Sequence, residues 1–126
     1  MATFYASVIS ADADAAIAFL DRAFGITEHE LHRDETGTIR HGELRLGDGI
    51  VMIGTQRDDA FATSGTVLVY AAVDRPEDVD ALHERAAAAG AEIVLAPTDT
   101  DYGSRDFAAK DPEGNVWSFG TYRPKP

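Results

Sequence analysis

Polar and apolar positions along the chain alternate in one order of periods, and that order occurs twice. Residues 3 to 9, TFYASVI, are aromatic and β-branched, which suits a strand. Asp12 or Asp14 stands where a carboxylate accepts hydrogen bonds from free amides at a helix start. Ala16, Ile17, Leu20 and Phe24 then recur at helical spacing, and Gly25 stops the helix. Thr27 to Leu31 reads as a short polar strand and Asp34 to Gly37 as a loop. Thr38 to Leu46 and Ile50 to Gly54 form a hairpin about Asp48-Gly49. The second half repeats this order. Thr66 to Val73 is a strand, and Asp74 with Pro76 opens a helix, proline being tolerated in the first turn. Val79, Leu82 and Ala86 mark its buried face, and Gly90 ends it. Ala91 to Leu95 is a strand and Pro97 to Gly103 a loop.

The last sixth of the chain, RDFAAKDPEGNVWSFGTYR from Arg105 to Arg123, carries the strongest local signal. Two alternating segments flank Asp111-Pro112-Glu113-Gly114. Proline at the second turn position fixes its backbone angle, and glycine at the fourth accepts the left-handed geometry. Gly25 and Gly90 close equivalent helices, and Gly54 and Gly120 close equivalent hairpins, so the halves read as a duplicated strand-helix-three-strand unit. Each half makes one sheet with its helix on one face, leaving the other face, curved by twist, free to enclose something. Alternation puts Leu44 and Leu46 under helices and His41, Glu43 and Arg45 opposite. Trp117 and Phe119 point to a helix, and Val116, Ser118 and Gly120 to the concave side. The expectation is one domain over residues 1–126: module one about 1–55, a polar linker about 56–64, and module two about 65–126.

Composition narrows the function classes. The 126 residues hold one core, and no apolar run approaches the length needed to cross a bilayer. The opening residues show no basic region and apolar core of a signal, so a cytoplasmic protein without membrane contact is expected. With no cysteine, disulfides, thiolate catalysis and thiolate-bound zinc are excluded. A formal net charge of −11 argues against a nucleic-acid partner and favours cationic over anionic small molecules.

The paired modules, the AAIAFLDRAFG helix and the ending DPEGNVWSF resemble the vicinal oxygen chelate superfamily, which holds glyoxalase I, extradiol dioxygenases, and fosfomycin- and bleomycin-resistance proteins. The resemblance covers nearly the whole chain. It implies an α+β fold of two βαβββ modules in a half-open barrel, commonly completed in a homodimer. It also implies a divalent metal held from four positions, a first-strand and a last-strand residue in each module. Carried onto this chain, those positions are Tyr5 and Met52 in module one and Leu68 and Ser118 in module two. None offers an imidazole or carboxylate, the donors such an ion needs. The resemblance therefore implies the fold without the family's metal, and no cofactor is expected.

Other residues supply candidate chemistry. His41-x-Glu43 places two potential metal donors on one strand face; alternatively they line a concave wall and bond to each other. His29, His32 and His83 read as surface. Arg105 either clamps a carboxylate or phosphate at the barrel mouth or pairs with Glu43 or Asp106 and holds strand register. Ser118 lacks a nucleophile-elbow sequence and reads as a small residue making room for a ligand. Tyr5, Tyr70, Phe107 and Tyr122, with Met52, either line a ligand box or pack the core. Gly47-Asp48-Gly49 is a hairpin turn, not a nucleotide fingerprint. The ligand-binding set is thus Tyr5, His41, Glu43, Met52, Leu68, Tyr70, Arg105, Phe107 and Ser118, with catalytic residues unassigned. Two functions fit: a metal-free binder of an aromatic or cationic organic molecule, or a metal-dependent lyase, isomerase or dioxygenase with displaced ligands built around His41 and Glu43.

Overall fold

A computed structural model describes residues 3–58 and 65–124. Among these described residues ten elements follow one another: β1 (Ser7–Ser10), α1 (Ala13–Phe24), β2 (Thr27–Arg33), β3 (Ile39–Leu46), β4 (Gly49–Thr55), β5 (Leu68–Ala72), α2 (Pro76–Ala88), β6 (Glu92–Asp99), β7 (Arg105–Lys110) and β8 (Val116–Gly120). This is the doubled βαβββ order. The strands form two four-stranded sheets, ordered β1-β4-β3-β2 and β5-β8-β7-β6, and neither closes into a barrel. In each sheet the outer pair, β1 with β4 and β5 with β8, is parallel and the remaining pairs are antiparallel. Contacts divide the chain into two compact units, Met1–Asp21 with Gly25–Gly65, and Arg22–Phe24 with Thr66–Pro126. The boundary differs from the expected modules in giving the last turn of α1 to the second unit. The expected linker lies partly outside the described residues, at 59–64.

In the first unit, Asp12 caps α1 through its side chain, which accepts from the amide of Ala15 at 3.1 Å, and Gly25 closes the helix at φ 70°. Val8, Leu44 and Ile53 sit side by side on one face of the sheet and are buried. The β3–β4 turn is centred on Gly47-Asp48 rather than Asp48-Gly49. Leu46 pairs with Gly49, and Gly47 takes the positive φ of 60° that puts glycine first in a two-residue turn. The β2–β3 loop is gathered by Asp34. One carboxylate oxygen accepts from the amides of Thr36 and Thr38 and the Thr36 hydroxyl, and the other accepts from Arg40 Nε at 2.8 Å. These bonds, the Thr36 hydroxyl first, hold its carboxyl down at about 2.

The second unit packs its core around aromatic rings. Phe107 stacks on Phe119 at 5.2 Å between centroids, and Phe24 lies 5.1 Å from Phe119 and 6.1 Å from Trp117. Val79 and Ala86 of α2 are fully buried. Asp74 does not cap α2. The N-cap is Arg75, whose amide donates to Asp78 at 3.1 Å, while Asp74 pairs with Arg123 at 2.8 Å. Strand β6 runs on through Pro97 to Asp99, where a loop was expected. Among the described residues only β7 pairs with β6, and Pro97 falls in the register irregularity between Leu95 and Thr98, so this edge strand tolerates it outside the regular ladder. Likewise β1 begins at Ser7, not Thr3.

The DPEGN turn is built on Asp111. One carboxylate oxygen accepts from the amides of Glu113 (3.0 Å) and Asn115 (2.9 Å). The other accepts from Asn115 Nδ2 and Trp117 Nε1, each at 3.0 Å. Asn115 then accepts the amide of Val67, just before β5, at 3.0 Å. Gly114, at φ 89°, closes the turn by donating to Asp111 O. Four donors on one buried carboxylate explain why aspartate, asparagine and tryptophan stand at this spacing.

Two outcomes follow from these contacts. Asp111→Ala strands a buried indole N–H and three further donors, and lowers stability by on the order of 3 kcal/mol, read as a shift in the urea midpoint. For Asp34, the folded pKa of about 2 lies below the ordinary carboxyl value of 3.8. The group therefore contributes stability above pH ~4 that is lost as pH falls toward ~2. Asp34→Asn should melt earlier than the parent at neutral pH, and the gap should close across that window; a constant gap refutes the assignment.

Candidate functional site

Cross-strand pairing decides which side chains share a face. In the first unit, Gly42, Leu44 and Ile53 lie on the core side. The open face therefore carries Ser7 of β1, Met52 of β4 and Glu43 of β3 in one row, with His41 and Arg45 on either side of Glu43. His41 Nε2 lies 3.1 Å from Glu43 Oε2. Next to it, His32 stacks on His41 at 5.7 Å between ring centroids and reaches Glu30 at 3.4 Å. His32 is thus part of this face, which single-residue reading assigned to plain surface. Among the described residues no three His, Asp or Glu side chains converge closely enough to hold a metal ion.

In the second unit Trp117 and Phe119 fill the core side, so Val116, Ser118 and Gly120 of β8 line the open face. Ser118 stands between Tyr70 of β5 and Ala108 of β7, and Gly120 stands between Ala72 and Asp106. Asp106 is 9% exposed. One of its oxygens accepts from Ser104 Oγ at 2.6 Å and the other from the Tyr102 hydroxyl at 3.2 Å. Tyr70 donates its hydroxyl to the Tyr122 carbonyl at 2.7 Å, and the Tyr102 and Tyr122 rings meet edge to face at 5.7 Å. Burial, and then the Asp106 charge, push both the Tyr70 and Tyr102 hydroxyls above their ordinary pKa. Gly120 makes this possible. A side chain there would run into the Asp106 carboxylate and the Tyr70 hydroxyl, which lie across the bare backbone.

The loop that presents Tyr102 is tightly held. Thr100 N donates to Ser104 O at 2.7 Å, Ser104 N donates to Thr100 Oγ1 at 2.9 Å, and Gly103 takes φ 86°. Ser104, 3% exposed, also accepts from the amide of Tyr122 at 3.0 Å. Loop, strand ends and carboxylate therefore form one connected polar group.

The candidate residues divide by face. His41, Glu43 and Met52 share the open face of the first sheet; Leu68, Tyr70 and Ser118 share that of the second. Arg105 and Phe107 are turned the other way and need correcting. Arg105 faces α2, with its Nε 3.0 Å from Asp80 and Nη1 3.0 Å from Asp99. It pairs with neither Glu43 nor Asp106. Phe107 is wholly buried beneath α2, where His83 meets it edge-on at 5.7 Å, so His83 is a packing residue rather than surface. Tyr5 precedes β1 and is 55% exposed. The residues opposite Met52 and Ser118 are Ser7 and Tyr70, two positions beyond Tyr5 and Leu68. Either choice leaves the positions without imidazole or carboxylate, so they do not fit a divalent metal. Tyr102, Ser104 and Asp106 were missed as a site. The available signal was alternation, since Asp106 must oppose Phe107 and Ala109.

Comparison with known proteins agrees with this architecture. The family model of the Glyoxalase/Bleomycin resistance protein/Dioxygenase superfamily matches residues 4–119. An uncharacterized protein of Mycobacterium bovis, Mb0911c, is 33% identical over 118 residues, covering 86% of this chain and 76% of that protein. The crystal structure of TioX from Micromonospora sp. ML1 superposes with a TM-score of 0.77 at 29% identity, covering 99% of each chain. A glyoxalase/bleomycin resistance protein/dioxygenase family enzyme from Burkholderia phytofirmans gives 0.70 at 28% identity, covering 92% of this chain and 94% of that one.

The close approach at Gly120 is testable without a ligand. Gly120→Ala should destabilise the fold by about 1–3 kcal/mol, because the carboxylate and the Tyr70 hydroxyl must both shift. Removing the obstructing carboxylate in Gly120→Ala/Asp106→Ala should cost less than the sum of the single changes. Additive losses in denaturant unfolding would mean the two positions do not touch.

Proposed function

The chain belongs to the Glyoxalase/Bleomycin resistance protein/Dioxygenase superfamily, and on that premise we propose that it is a small-molecule-binding protein. It holds an aromatic or cationic organic ligand without a metal ion, and it works as a homodimer. The observation that carries this reading is the side-chain chemistry of the register pairs. Ser7 with Met52 and Tyr70 with Ser118 are neutral, three hydroxyls and one thioether between them, and neither pair is a donor set for a divalent ion. What they offer instead is contact area and a few hydroxyls, the chemistry of retention. On the second sheet Leu68 and Tyr70 supply apolar area, and Ser118, small and half-buried, leaves room beside Tyr70; on the first sheet Met52 supplies it beside Ser7.

The second reading is a metal-dependent lyase, isomerase or dioxygenase with displaced ligands. His41 and Glu43 favour it, being on one open face with His32 alongside. Their mutual hydrogen bond satisfies them without an ion, and that tips the choice to binding. Elemental analysis of the purified protein decides between the two. Substoichiometric zinc, nickel, manganese and iron, together with thermal shifts of several degrees for aromatic or cationic compounds that survive a chelator, are the expected results. A stoichiometric divalent metal whose removal abolishes turnover would reverse the assignment. Sedimentation at micromolar concentration reads the oligomeric state, and a monomer there would remove the dimer from the reading.

A further inference from the structure

A buried charge is ordinarily paired with its opposite, because leaving water is costly for an ion that gains only neutral partners. Asp106 breaks that pattern. It is nine-tenths buried, it accepts from two hydroxyls, and no cation pairs with it among the described residues. Neighbouring cations are committed elsewhere. Arg105 faces the opposite side of the sheet, on Asp80 and Asp99, Lys110 reaches Glu92 at 3.8 Å, and Arg123 holds Asp74. Around the carboxylate stand three tyrosines: Tyr70, Tyr102 and Tyr122, 37%, 61% and 48% exposed. The hydroxyls of Tyr70 and Tyr102 are not free to solvate a guest's anion. Tyr70 is tied to the Tyr122 carbonyl and Tyr102 to Asp106. All three residues stay partly exposed, and the faces of such rings attract positive charge.

We propose that Asp106, with the rings of Tyr70, Tyr102 and Tyr122, forms a subsite for an organic ammonium group. This deepens the small-molecule reading by naming the ligand feature that is recognised. The bonded Thr100–Ser104 loop holds the carboxylate and the Tyr102 ring in place beforehand, so little ordering remains to oppose binding.

The test compares choline and benzyltrimethylammonium with their neutral isosteres 3,3-dimethylbutanol and neopentylbenzene, followed by amide shifts of Ser104, Gly120 and Tyr122. Each cation should bind at least about tenfold more tightly than its neutral isostere. Asp106→Asn should abolish that preference, while Asp101→Asn, the same loss of charge on the neighbouring loop, should keep it. Tyr102→Phe retains the ring and should retain the preference within about threefold; Tyr102→Leu should lose most of it. If Asp106→Asn fails to fold, the two Tyr102 variants carry the comparison. Equal binding of cations and neutral isosteres, or equal losses in Asp101→Asn and Asp106→Asn, would overturn the subsite. If uncharged aromatic compounds still bind in those cases, the small-molecule reading stands and only the ammonium assignment falls.

Discussion

The carboxylate of Asp111 is the constraint on which the second unit depends. It gathers two backbone amides, an amide side chain and an indole, and through Asn115 it reaches the residue that leads into β5. These bonds fix more than a turn. They set the register of β8 against β7 and, through Val67, of β5 against β8. Side-chain direction in a strand alternates with every residue, so a slip of one position would put Trp117 and Phe119 on the open face and Ser118 in the core. The turn chemistry thus decides which residues a ligand could touch, although Asp111 itself lies on the core side of that decision.

The two units share topology but keep their hairpins in order by different means. The first closes β3 and β4 with the two-residue Gly47-Asp48 turn, which leaves no room for a four-donor carboxylate. Its organising carboxylate is Asp34, in the β2–β3 loop. In the second unit the loop at the equivalent place, Thr100–Ser104, is organised by hydroxyls and carries Tyr102. The open faces have diverged accordingly. One presents stacked imidazoles bonded to glutamates, and the other presents tyrosines around one buried aspartate. A duplicated backbone does not keep two copies of the same chemistry.

How much of this could be read from the chain differs by kind of feature. Element order, the duplication, the capping role of Asp12 and the positive-φ glycine of the DPEG turn follow from local periodicity and backbone sterics, which act within a few residues. The facing of Trp117 and Phe119 follows from alternation alone. The same rule, applied across the hairpin, pairs Phe107 with Phe119 and so turns Arg105 toward α2. Hairpin pairing alone thus assigns Arg105 to the helix-covered face. The partners of Arg105, Asp80 on α2 and Asp99 on β6, are 25 and 6 residues away and become neighbours only when the unit packs. The extension of β6 through Pro97 was hidden for a similar reason. Proline forbids a central strand but not an edge, and edge position is a property of the sheet order. The stack of His32 on His41 requires the β2–β3 register, which no local pattern fixes, since β2 is polar but for Leu31 and carries two irregularities.

Charge acts on this protein at two ranges, and they are easily confused. The net charge of −11 draws any cation toward the surface, but that attraction fades over about 8 Å at physiological salt and does not discriminate among cations. Discrimination requires a charge held where salt and water reach it poorly, next to surface that suits one kind of cation. Asp106 meets the first condition by its burial, and the tyrosine rings beside it meet the second. Sodium and potassium are strongly hydrated and gain little from ring faces, whereas a methylated ammonium is weakly hydrated and apolar at its surface. The proposed preference therefore rests on the combination and not on the acidic composition, and a protein equally acidic overall but lacking the Gly120 gap could not place its carboxylate across the strand in this way.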